Sequence, residues 1–139
     1  MPTILTLETL GSLLLSVALG AIIGIEREKA HRPAGLRTHM LVCLGACLFT
    51  LMSSQFGEAQ PAQVAAGIVA GIGFIGAGTI WGEKDKVKGI TTAASLWATA
   101  AIGLTTGLAD YLFAVVATIL VVAILASNAL WKRIGLEKD

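Results

Sequence analysis

Residues 59–82 read AQPAQVAAGIVAGIGFIGAGTIWG, twenty-four positions without an Asp, Glu, Lys or Arg. A helix needs about 20 apolar residues to cross a hydrocarbon layer of about 30 Å. Backbone polar groups in lipid must be satisfied within the segment, so the run predicts a helix. The alternation of apolar and polar residues expected of a membrane β-barrel is missing. On either side lie further uncharged runs, 38–57, 89–109 and 111–131, of 20, 21 and 21 residues. The run 9–25 has 17 residues and becomes long enough if its helix reaches back to Ile4, with Glu8 at the headgroups.

Composition agrees. Of 139 residues, 55% are hydrophobic and only 14% charged, and mean hydropathy is +0.81. Soluble domains carry about 25% charged residues, and a chain this short has too much surface to hide so much apolar side chain from water. A soluble enzyme and a disordered chain are excluded, and two Cys are too few for a disulfide-stapled secreted domain. The expected fold is all-α and integral to the membrane. It is a compact bundle of five transmembrane helices in a single domain, with spans at about 4–25, 37–56, 62–82, 90–108 and 111–131.

Five spans place the termini on opposite sides. All ten basic residues then fall on one side: Arg27, Lys29, Arg32 and Arg37, then Lys84, Lys86 and Lys88, then Lys132, Arg133 and Lys138. The other side holds Glu8, Glu58 and Asp110. The positive-inside rule makes the basic side cytoplasmic, so the N-terminus is outside and the C-terminus inside. A cleavable signal peptide is not expected, because such peptides open on a basic region and the first basic residue here is Arg27.

A faint repeat appears on shifting the chain by 54 residues, which aligns Gly24 with Gly78, Gly35-Leu36 with Gly89-Ile90, and Thr38 with Thr92. Each half would be a hairpin with a basic loop, as in parallel-repeat transporters. Small residues four apart let helix backbones approach. Gly20 and Gly24 fit that spacing, as do Gly67 and Gly71, Gly78 and Gly82, and Gly103 and Gly107. With Gly73 and Gly76 they predict tight helix packing and a homo-oligomer. The alternative is a kinked or unwound third span lining a cavity.

Three constellations are candidates for chemistry. Glu26, Arg27, Glu28, Arg37 and His39 cluster at the cytoplasmic end of the first two spans. Charges at the hydrocarbon edge need partners, and a Glu26–Arg37 pair across the hairpin is expected, either as a structural clamp or as a site for an ion, an anionic lipid or a regulated protein. Thr91 and Thr92 open the fourth span, where their hydroxyls can cap the helix or where its N-terminus can hold an anion. His39, Cys43 and Cys47 share a face at i, i+4 and i+8. That line is stretched for coordination, so no metal site and no cofactor are expected. No nucleophile, base and oxyanion donor converge, so no enzyme is expected. Nucleic-acid binding has no support beyond the loop charges.

The blocks Gly24–Glu28, Arg32–His39, Gly71–Ile80 and Val87–Trp97, in this order and spacing, resemble the MgtC/SapB family of membrane proteins. The resemblance implies a multi-pass protein of a bacterial or archaeal inner membrane, linked to growth at low magnesium and, in some intracellular pathogens, to survival in host cells. It also implies regulation of another membrane protein, such as an ATP synthase, with a small oligomeric transporter or channel for Mg2+ or another solute as the alternative. Membrane lipids are the remaining expected partner. Many members carry a soluble C-terminal domain, which is not expected here, and virulence-type members carry Asn where this chain has Thr91.

Overall fold

A computed structural model describes residues 6–53, 60–83 and 86–133, with backbone alone for residue 60 and for 128–133. Ile4, the second span's expected end at 54–56, Glu58, Lys84, Asp85 and Lys138 lie outside the described residues. Among the described residues five helices follow one another: α1 Leu7–Lys29, α2 Leu36–Ser53, α3 Gln60–Ala77, α4 Ile90–Gly107 and α5 Tyr111–Arg133. Between α3 and α4 lies a short antiparallel hairpin, β1 Trp81–Glu83 with β2 Lys86–Lys88, in register Trp81 to Lys88. The expectation of helices throughout thus requires one addition. The uncharged run continues to Gly82, but α3 stops at Ala77, where a turn closed by Thr79 N–H on Gly76 O leads into β1. Over Gln60–Ala77 the third helix is unbroken.

The helix ends have local causes. Thr6 and Thr9 form a capping box at the start of α1, and Glu8 sits in that first turn, where the helix dipole favours an acid. α1 ends in a Schellman turn: Arg32 N–H bonds Arg27 O, His31 N–H bonds Glu28 O, and His31 takes the left-handed conformation at φ 54°. α4 ends the same way, with Ala109 at φ 63°. Asp110 then caps α5, its carboxylate accepting from Phe113 N–H.

α4 is the centre of the fold and touches every other helix, while α1 packs most extensively on α2. Close contacts order the ends. Gly24 lies against Leu36, Gly76 against Ala93, His39 bonds Ser95, and Arg27 reaches Leu125 O. At the opposite end Ser12 bonds Tyr111 OH and Gly107 meets Thr50. The first end therefore carries Arg27, Lys29, Arg32, Arg37, Lys86 and Lys88 together with Glu26, Glu28 and Glu83. The second carries Glu8 and Asp110. The basic side chains gather at one end in space as they do along the chain.

The interior mixes hydroxyls with two apolar clusters, one around Leu19, Ile23 and Ile102 and one around Ile72, Leu96 and Ala100. Ser16, Thr50, Thr99, Thr106 and Thr118 are buried, and each turns its hydroxyl onto a carbonyl of its own helix. Many large apolar side chains also point outward: Phe74 is 86% exposed, Leu112 77% and Ile124 70%. α1 and α2 are long and apolar enough to cross a membrane, and Pro61–Ala77 and Tyr111–Ser127 are shorter apolar helical stretches.

Candidate functional site

The basic end of the bundle is built on the contact between α1 and α2. A Cβ at Gly20 would lie 2.7 Å from His39 O, and one at Gly24 would lie 2.7 Å from Leu36 Cα. Both glycines therefore hold the two backbones in direct contact. Arg27 lies on the same face of α1, seven residues beyond Gly20 and three beyond Gly24, and is only 2% exposed. Its guanidinium pairs with Glu26, and Nη2 approaches Leu125 O of α5 at 3.5 Å.

The expected Glu26–Arg37 pair does not form. Glu26 takes Arg27, and Arg37 is exposed and makes no ion pair among the described residues. Helix phase explains the difference. α2 presents Leu36, His39 and Cys43 inward, toward the glycines of α1 and α4. Arg37 is one residue, about 100°, away from Leu36 and points off that interface. The spacing from Gly20 and Gly24 is the sequence signal that picks out Arg27 rather than its neighbours.

Glu28 has a different task. Its Oε2 accepts from Leu36 N–H at 2.9 Å, so a carboxylate from the end of α1 caps the start of α2. A Cβ at Gly35 would fall 1.8 Å from that oxygen, so the cap requires a residue without one there. His39 is fully buried, with Nδ1 2.9 Å from Gly35 O and Nε2 3.1 Å from Ser95 Oγ. A carbonyl only accepts, so Nδ1 carries the proton and Nε2 of the neutral ring accepts. Ser95 has one proton for two acceptors, His39 Nε2 and Thr92 O at 2.8 Å. This bridge fixes the start of α2 against the start of α4.

The expected capping by Thr91 and Thr92 is replaced by another device. The N-cap of α4 is Gly89, at φ 92° and without a side-chain cap bond, so Thr91 and Thr92 fall inside the first turn, Thr91 exposed and Thr92 buried. A Cβ at Gly89 would also lie 1.8 Å from Thr79 O, so backbone conformation and space both demand glycine.

The expected packing glycines divide. Gly20 and Gly24 meet α2 and Gly76 meets α4, whereas Gly78 meets only its own turn. Gly67, Gly71 and Gly73 have nothing within 4 Å, and neither does Gly82, which lies in β1. Gly67 and Gly71 line an open groove of about 740 Å3 between α2 and α3, with Ala46 and Ala100 at its base. Gly45 opens the same groove from α2 and was not among the expected site residues. A glycine in mid-helix with no turn to make is the signal that could have found it. Cys43 and Cys47 are free buried thiols, and among the described residues no three of His, Cys, Asp and Glu converge on a metal-sized space.

Residues 13–133 match the model of the MgtC family. Curated relatives include Protein MgtC of Brucella abortus (strain 2308), 49% identical over 107 residues, covering 76% of this chain and 45% of the relative. Protein MgtC of Salmonella typhimurium (strain LT2) is 47% identical over 122 residues, covering 88% of this chain and 52% of the relative. The chain thus spans about half the length of these relatives. No solved structure matches it.

Proposed function

The chain belongs to the MgtC family, and from that premise we propose that it is a non-enzymatic inner-membrane protein linked to magnesium homeostasis that regulates another membrane protein. In this reading all five helices span the bilayer, the basic end is cytoplasmic, and the outward face works laterally on a partner such as an ATP synthase. The observation that carries it is the apolar exterior. Phe49, Phe74, Phe113 and Ile124 face out, while Ser and Thr hydroxyls lie buried inside beside Leu19, Ile23, Leu96 and Ile102. An exposed apolar surface of that extent marks a membrane or protein contact. The interior hydroxyls turned onto their own helices favour a packed bundle over a solute path.

The test is Mg2+ flux into proteoliposomes holding the purified chain, run beside co-isolation of membrane partners from cells by a tag on the chain. The regulator predicts no saturable flux under ion and voltage gradients and a specific partner. Saturable flux without a partner would establish the transporter instead.

A further inference from the structure

We propose that the groove between α2 and α3 binds one acyl chain of an anionic phospholipid from the leaflet at the basic end, with the lipid phosphate held by Arg37. The inference rests on the membrane reading above and adds a ligand to it. The groove's volume, about 740 Å3, lies within the roughly 300–1,000 Å3 of ligand-holding pockets. Its walls are apolar, from Val42 and Phe49 on α2 to Ile68 and Ile75 on α3. Gly45, Gly67 and Gly71 leave it open, since a Cβ at any of them would meet nothing within 4 Å. Water finds no partners along such walls. An empty slot would forfeit dispersion contacts on every side. In a bilayer, hydrocarbon fills it.

Length and charge identify the hydrocarbon. Along α2 the groove runs from Thr38 to Phe49, eleven residues on. At about 1.5 Å per residue that is about 16 Å, close to half of a hydrocarbon core of about 30 Å. A transmembrane helix from a partner or a second copy would need a seam through both leaflets. An acyl chain needs one. The groove begins at Thr38, at the basic end, and among the described residues that line it the only hydroxyl is there. Arg37 is the neighbouring residue and lies one turn from Leu41, an exposed lip of the groove. Its charge is left over once Glu26 has paired with Arg27. An exposed guanidinium at the headgroup end of an acyl-sized slot suits a phosphate, to which it can donate two parallel hydrogen bonds.

The test uses the full chain in detergent micelles, titrated with dipalmitoyl phosphatidylglycerol or dipalmitoyl phosphatidylethanolamine and read by native mass spectrometry. The expected result is one tightly held lipid per chain with phosphatidylglycerol preferred. Arg37→Gln lowers retention of phosphatidylglycerol about fivefold and abolishes the preference. Gly71→Leu, which fills the slot, lowers retention of both lipids about tenfold, and the milder Gly71→Ala gives an intermediate loss in a protein of unchanged helicity. Arg32→Gln removes an exposed loop cation of equal charge and changes nothing. Wild-type retention in Arg37→Gln and Gly71→Ala overturns the proposal. So does an equal loss in Arg32→Gln, which would reduce the effect to surface charge. Dissociation of a dimer by Gly71→Leu with lipid binding intact would give the groove to a second copy. Flotation with liposomes separates the two levels: a chain that does not insert defeats the membrane reading itself, whereas one that inserts without lipid preference defeats only this proposal.

Discussion

The contact between α2 and α4 can be tested by adding one methyl group. A Cβ at Gly103 would lie 2.1 Å from Cys43 O and 3.0 Å from Ala46 Cβ. Those atoms belong to the facing helix and its backbone, so neither can rotate away. Restoring ordinary contact requires the helices to part by about 1 Å, and dispersion falls steeply over that distance. Overpacking of this kind costs about 1–3 kcal/mol. Replacing a mid-helix glycine by alanine returns about 1 kcal/mol of helix propensity. Gly103→Ala is therefore destabilised by about 1 kcal/mol net, and Gly103→Ala/Gly107→Ala by more, because a Cβ at Gly107 would lie 2.7 Å from Thr50 Cβ. The matched control is Gly71→Ala, where the new methyl enters the open groove and stability rises by up to about 1 kcal/mol. Reversible unfolding in mixed micelles by added SDS, followed by far-ultraviolet circular dichroism, separates the two variants by about 2 kcal/mol. If Gly103→Ala is as stable as Gly71→Ala, the helices do not meet backbone to backbone at Gly103.

Two further substitutions probe the basic end and the turns. Glu26→Gln leaves the Arg27 charge buried and unpaired and costs about 3 kcal/mol in the same unfolding assay. Glu26→Gln/Arg27→Met recovers most of that loss, whereas Arg37→Ala changes stability by less than about 0.5 kcal/mol. A larger effect at Arg37 than at Glu26 would restore the expected Glu26–Arg37 pair. At the end of α4, Ala109→Gly relieves a left-handed backbone and raises stability by about 1 kcal/mol. No gain, or a loss, would mean that Ala109 does not hold that conformation.

The charge-free runs read directly as helices, because charges are costly within a hydrophobic layer and cheap at its edges. The gathering of the basic side chains at one end was legible for the same reason. The end of α3 was not. Gly78 to Gly82 carry no charge, and hydropathy does not distinguish the last turn of a helix from a turn leading into Trp81–Glu83. Spacing identified small-residue faces without saying what lies across them. Gly20 with Gly24 and Gly67 with Gly71 have the same spacing, yet the first pair presses on α2 and the second opens a groove. At the candidate site, Glu26, Arg27 and Glu28 are successive residues about 100° apart on α1, so they face three ways. Only the phase set by Gly20 and Gly24 tells which one is buried. Glu28 reaching Leu36, and His39 reaching Ser95 across 56 positions, depend on helix–helix approach that no local pattern encodes.

The central claim is a membrane bundle with its basic end in the cytoplasm, and the most direct measurement is the accessibility of single cysteines in intact cells. Arg32→Cys and Asp110→Cys, each in a Cys43→Ala/Cys47→Ala background, are treated with a membrane-impermeant maleimide before and after the inner membrane is permeabilised. Both positions are exposed and lie at opposite ends of the bundle. The account predicts that Asp110→Cys labels from outside the inner membrane in intact cells and that Arg32→Cys labels only after permeabilisation. Labelling of both from the same side would contradict it.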